Sequence, residues 1–166
     1  MSSNDSPRTT SQYVDPRGSR FAAWVTTLVL SVVVLSGSGW LLAAQTLVFA
    51  AGALVGIRYS PYSAIFRAAR RLLRLGPPSE LEAGAPLRFA QTIGAAFGLT
   101  GTVAFAAGWQ VAGTVAAALA LGAAFLNAAF GICLGCEIYL ILRRSSGRDA
   151  ITRFVPARTT AEGSSA

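Results

Sequence analysis

Histidine and lysine are both absent from the 166 residues, and 13% of the chain is charged against 53% hydrophobic. Without histidine there is no Ser-His-Asp or Cys-His nucleophile pair, no imidazole metal ligand and no histidine pH switch. Without lysine there is no Schiff-base amine and no phosphate-loop lysine, so all 14 positive charges are arginine. Cysteine is scarce as well, at two residues. Soluble domains carry charge at roughly a quarter of their positions. This composition, with a mean hydropathy of +0.53, is that of a membrane protein.

What is present is arranged by charge. Residues 1–14 are polar and rich in Ser, Thr and Asn, too poor in apolar surface to offset the entropy of ordering, and are expected to be a disordered tail. Four apolar stretches follow, over about 21–39, 40–57, 89–110 and 117–142, each near the ~20 residues of a helical bilayer crossing. The first is too long for a signal-peptide core and runs straight into further apolar sequence, which argues against cleavage. The last, taken from Val111 to Leu142, is longer than one crossing requires. Residues 145–166 form a second polar tail, expected to be disordered. The expected fold class is therefore an all-α membrane protein over 15–144, with four transmembrane helices as two hairpins and a cytoplasmic amphipathic helix.

Topology follows from the arginines. Three precede the first span (Arg8, Arg17, Arg20) and six lie in the central loop (Arg58, Arg67, Arg70, Arg71, Arg74, Arg88). Five follow the fourth span (Arg143, Arg144, Arg148, Arg153, Arg158). The connections from Ser36 to Trp40 and from Gly108 to Gly113 contain none. The positive-inside rule then places both termini and the central loop in the cytoplasm. The net charge of +7 is topological, and no nucleic-acid partner is expected. In the central loop, residues 62–75 set Arg67, Arg70, Arg71 and Arg74 against Ile65, Phe66, Ala69, Leu72 and Leu73, the pattern of an interfacial helix whose arginines face anionic lipid head groups. Pro77-Pro78 ends it. The two halves also share a signature: Arg20-Phe21-Ala22 and Arg88-Phe89-Ala90, each followed about twenty residues later by tryptophan, Trp40 and Trp109. Such a duplication would be parallel, about an axis along the membrane normal.

The surplus of the fourth stretch holds the chemistry: Asn127, Gly131, Cys133, Gly135, Cys136, Glu137 and Tyr139. Cys133 and Cys136 form a CxxC, and one helical turn would bring their Cα atoms to about 5–6 Å, within disulfide range. Spacing alone admits a redox-active or sulfur-carrying dithiol, two small apolar fillers between helices, or a metal site completed by a second copy. Glu137 is a carboxylate inside an apolar span, which costs about 2.5–3.5 kcal/mol and calls for a partner or a watery cavity. Held protonated by burial, it would be a proton partner for Cys136; near the interface it would instead pair with an arginine such as Arg144. Gly131 and Gly135 permit either a helix break or close helix packing. Gln45, Gln91, Gln110 and Asn127 have interhelical hydrogen bonding as their default role.

The chain also carries Val14-Asp15-Pro16-Arg17-Gly18, Tyr59-Ser60-Pro61-Tyr62, Gly76-Pro77-Pro78 with Glu80-Leu81-Glu82, Arg88-Phe89-Ala90-Gln91, and Asn127-Ala128-Ala129-Phe130-Gly131 leading into the CxxC. In these it resembles, over about Val14 to Arg144, the small bacterial membrane proteins grouped as the domain of unknown function 4395 family. That resemblance implies four spans with a CxxC at the end of the last. It also implies residence in the bacterial cytoplasmic membrane and gene neighbours of the thioredoxin-like and sulfurtransferase kinds. The functional expectation is a cytoplasm-facing Cys133/Cys136 dithiol, with Glu137 as proton partner, exchanging disulfides or sulfur with such a soluble protein. The alternatives are a small-solute transporter or channel component and a structural membrane partner with inert cysteines. No nucleotide or quinone motif is recognisable, and no cofactor or resident metal is expected.

Overall fold

The computed structural model describes residues 13–56, 61–72, 74, 76, 78–146 and 154–156. Among them are six helices: α1 (Pro16–Ser36), α2 (Gly39–Leu54), α3 (Pro61–Leu72), α4 (Gly84–Ala106), α5 (Gln110–Phe130) and α6 (Leu134–Ser145). Three short strands, β1 (Tyr13–Val14), β2 (Glu80–Ala83) and β3 (Phe154–Pro156), form one antiparallel sheet in the order β1-β2-β3. Arg8, Arg58, Arg148, Arg153, Arg158, Leu73, Tyr59-Ser60 and most of both expected tails lie outside the described residues.

α1, α4 and α5 are each long and apolar enough to cross a membrane; α2, at 16 residues, is shorter. Asp15 caps α1 by accepting from the Arg17 N–H at 2.9 Å, Pro16 occupies its first turn, and Gly37 closes it with left-handed backbone. Ser38 then caps α2. The two tight reversals, between α1 and α2 and between α4 and α5, lie together: Gly39 abuts Phe105, and Gly37 faces Gln110. Trp40 and Trp109 are both largely exposed there.

Packing pairs each helix of one hairpin with a helix of the other, α1 along α5 and α2 along α4. Lipid tails are as apolar as leucine, so helices associate where small residues let backbones approach. α4 supplies these at Gly94, Gly98 and Gly101, which face Phe49, Thr46 and Leu42 of α2. The core beside them contains Leu30, Val33, Leu42, Phe49, Phe105, Ala117 and Ala120. Around it the bundle presents Leu28, Val32, Leu47, Leu99, Val103, Val115 and Leu119 outward.

The arginine motif of the two halves has one structural meaning. Arg20 at the start of α1 donates to the Ala128 carbonyl in the last turn of α5, and Arg88 at the start of α4 donates to the Ala53 and Leu54 carbonyls ending α2. Each cation meets the negative end of the helix packed against its own. Gln45 makes the interhelical bonds expected of it: its amide donates to Thr26 Oγ1, and its carbonyl accepts from Tyr62 Oη at 2.6 Å. Burial holds the Tyr62 phenol above its ordinary value, so it remains a donor at neutral pH.

Several elements differ from expectation. The fourth apolar stretch is not one helix over 117–142: Gly131 stops α5 at Phe130, and α6 starts afresh at Leu134. β1 and β3 lie in segments expected to be polar tails, and both pair with β2 in the central loop. α3 is anchored to the bundle by Phe66 on Phe21, with ring centroids 5.8 Å apart, and by Arg70 to Asp15 at 3.6 Å. Arg67, Arg71 and Arg74 are exposed, and so are Ile65 and Leu72, so α3 keeps apolar surface facing outward beside its arginines.

The α2–α4 contact generates a test. A side chain at Gly101 would collide with Leu42 and press on Ala116, whereas Gly122 has open space at its Cβ position. Gly101→Leu is expected to lower stability by about 1–3 kcal/mol, and Gly122→Leu to stay within about 0.5 kcal/mol, as read by unfolding in mixed micelles.

Candidate functional site

The site is built by the chain's reversal between α5 and α6. Gly131 adopts φ +71°, a conformation that costs glycine little and other residues more. Its N–H donates to the Asn127 carbonyl, the bond of a left-handed C-cap, and the Ile132 N–H donates to the Leu126 carbonyl, so that two carbonyls at the end of α5 are satisfied. Cys133 follows in extended backbone as the N-cap of α6, and its Sγ accepts from the Cys136 N–H at 3.3 Å. The Glu137 N–H donates to the Cys133 carbonyl at 3.0 Å. A sulfur thus occupies the place usually taken by a Ser, Thr or Asp oxygen.

The two cysteines are paired as a disulfide with Cα atoms 5.2 Å apart, as close as the spacing had predicted, although one helical turn does not hold both. Cys133 is 5% exposed and Cys136 fully buried, in a small apolar cluster with Leu87, Val14 and Ala90. Gly135 sets the depth: a Cβ there would lie 2.6 Å from the Ala90 Cα, so α6 rests directly on the α4 backbone. The two glycines that look equivalent in sequence therefore divide the work, Gly131 breaking the helix and Gly135 packing it. Phe89 and Tyr139, with ring centroids 5.6 Å apart, add a second contact between α4 and α6.

Glu137 is not buried with the thiols. It is exposed in the first turn of α6, where a carboxylate complements the helix dipole, and it is not part of the cysteine cluster. The acid that is buried is Glu82 of β2, 1% exposed, which accepts from Ser19 Oγ at 2.7 Å. β2 places it opposite Val14, which itself touches the cysteine cluster. Nothing in the sequence marks Glu82 over Glu80, since its burial depends on a strand register set by two distant segments.

Cys133 also borders a cavity of about 320 Å³. The cavity runs between α1, α4 and α5 from the dithiol toward the middle of the bundle, lined along α4 from Leu87 to Phe97, about 15 Å at 1.5 Å per residue. Its walls are mainly Ala, Leu, Ile and Phe, with Ser19, Thr26, Gln91 and Asn127 among the polar exceptions. The Gln91 and Asn127 side chains make no hydrogen bond among the described residues, although Gln91 packs between helices, against Gly52 of α2. Glu137 does not line this cavity. Among the described residues no three His, Cys, Asp or Glu side chains come together as metal ligands.

Apolar helices of spanning length and a close cysteine pair at a helix start define a helical membrane-type protein with a CxxC centre. The chain belongs to the domain of unknown function family DUF4395, whose model matches residues 14–144. No curated protein and no solved structure matches it.

The contact at Gly135 can be tested through the thiols. Gly135→Ala is expected to lift α6 from α4 and, after reduction, to expose both cysteines to an alkylating reagent that reacts slowly with the wild type. Gly131→Ala should cost about 1 kcal/mol from backbone strain alone, with the thiols still protected. Equal labelling of the two variants would show that the Gly135 contact does not set the burial of the pair.

Proposed function

We propose that the chain crosses the bacterial cytoplasmic membrane four times, α1, α2, α4 and α5 being the spans, with both termini and the central loop in the cytoplasm. All the described arginines sit at the end of the bundle opposite the two charge-free reversals, in keeping with the positive-inside rule. α2 is shorter than the hydrocarbon core, and Arg88 brings charge to the level where it ends. Arg67, Arg70, Arg71 and Arg74 then meet lipid head groups at the cytoplasmic surface, with the exposed Ile65 and Leu72 entering the interface.

On this reading Cys133 and Cys136 are a dithiol for exchange with a soluble thioredoxin-like or sulfurtransferase partner. The observation that carries it is Cys133 as N-cap of α6, since a helix N-terminus favours the thiolate and the structure directs the Cys136 N–H at that sulfur. From the closed pair, a partner thiolate attacks Cys133 Sγ and releases Cys136 as a thiolate, which takes up a proton. The partner's second thiol then attacks its own half of the mixed disulfide, leaves oxidised, and returns the pair as a dithiol. Sulfur transfer begins from that dithiol: the Cys133 thiolate takes the outer sulfur of a partner persulfide, and the partner leaves as a thiol. A partner reaches Cys133 once Val14 is displaced, and β1 is only two residues long. Glu137, exposed beside the helix start, serves as a surface carboxylate that meets the partner rather than as a group in contact with the buried Cys136.

Two experiments test this reading. Tags at the N-terminus, at Pro78 and at the C-terminus should all report the cytoplasm, and reporters at Gly39 and Gly108 the opposite side; a tag at Pro78 shielded from the cytoplasm would overturn the topology. Cys136→Ser should accumulate a mixed disulfide between Cys133 and a soluble thioredoxin-like or sulfurtransferase protein in native membranes, absent in Cys133→Ser. Free thiols throughout, with unaltered cellular phenotype in both alanine variants, would make the pair structural.

A further inference from the structure

We propose that the cavity beside Cys133 receives a membrane-soluble quinone, which takes two electrons from the reduced Cys133/Cys136 pair; this rests on the exchange reading for the supply of those electrons. Cys136 is fully buried and Cys133 nearly so, yet Cys133 borders the cavity. The walls of that cavity are mainly apolar, so an oxidant seated in it must be apolar over most of its surface. The volume of about 320 Å³ falls in the range of small-molecule sites.

The polar exceptions in the wall narrow the chemistry. Gln91 on α4 and Asn127 on α5 each hold an amide with two N–H donors and no partner among the described residues. A saturated acyl chain would leave both unsatisfied in an apolar space, at a cost. A flat ring bearing two carbonyl oxygens offers each amide an acceptor while its ring and chain meet the Ala, Leu and Phe walls. In the step, the two S–H bonds of Cys133 and Cys136 break and one S–S bond forms. Two electrons and two protons pass to the quinone, forming an O–H bond at each ring oxygen. The products are the disulfide seen in the structure and a quinol.

The test uses the full chain in lipid nanodiscs, reduced with a phosphine and freed of it, so that no soluble partner is needed. Added decylubiquinone should yield one quinol per chain with loss of both thiols, and none in Cys133→Ser or Cys136→Ser. Ala123→Phe, which fills the cavity wall, should slow the quinone reaction about tenfold relative to reaction with a water-soluble disulfide. The double variant Gln91→Leu/Asn127→Leu keeps the space but removes the donors, and should raise the half-saturating quinone concentration about tenfold. Equal rates in wild type and Ala123→Phe would mean that the cavity holds lipid chains only, which overturns the proposal. A reduced protein that resists quinone but exchanges with the soluble disulfide would also overturn it and leave the exchange reading intact, whereas inertness toward both would overturn the two together.

Discussion

Backbone carbonyls and N–H groups at helix ends have no partner within their own helix, and near a membrane they cannot all rely on water. Much of this molecule follows from how those ends are satisfied. Arg20 serves the end of α5, Arg88 the end of α2, and Gly131 folds the chain back to serve two carbonyls with its own neighbours. The same need places Cys133. An extended residue must start α6 and accept an N–H, and the sequence supplies a sulfur there. The geometry of the CxxC is therefore a by-product of helix termination, and it stands at the end of the bundle where Arg20 and Arg88 serve the other helix ends.

Packing and chemistry meet in the contact of α6 on α4. Gly135 brings the dithiol against Ala90 and Leu87, which hides both sulfurs from water and sets Cys133 in the cavity wall. One side of the pair faces the small sheet and the exterior, the other the apolar interior. The exchange and quinone reactions proposed above would approach the pair from these two sides.

The helices and the charge layout were readable from the chain because both depend on local composition. The apolar stretches over 21–39, 40–57 and 89–110 coincide with helices α1, α2 and α4, shifted by a few residues toward the capping signals at Asp15 and Ser38 and the Gly84 start. The CxxC was found from spacing, and its Cα separation followed. What was not readable depends on distant partners. Gly131 and Gly135 differ only in what surrounds them, a free turn for one and the α4 backbone for the other. Glu137 looked like the buried acid because it sits in an apolar run, but the helix break turns it outward, while Glu82 is buried through pairing with residues nearly seventy positions away on either side. The cavity likewise exists only between helices from both halves of the chain.

The exchange of partners between hairpins, α1 with α5 and α2 with α4, bears on how the protein is made. When α1 and α2 have been synthesised, the surfaces that will cover them have not. α1 and α2 touch each other far less than they touch the second half, so the first two helices alone lack most of their packing partners. Their small-residue counterparts, Gly94, Gly98 and Gly101, emerge later on α4, and Arg88 arrives with them to close the end of α2. The second half of the chain thus completes the packing of the first, and α6, last of the six helices in sequence, covers the cysteine pair against α4.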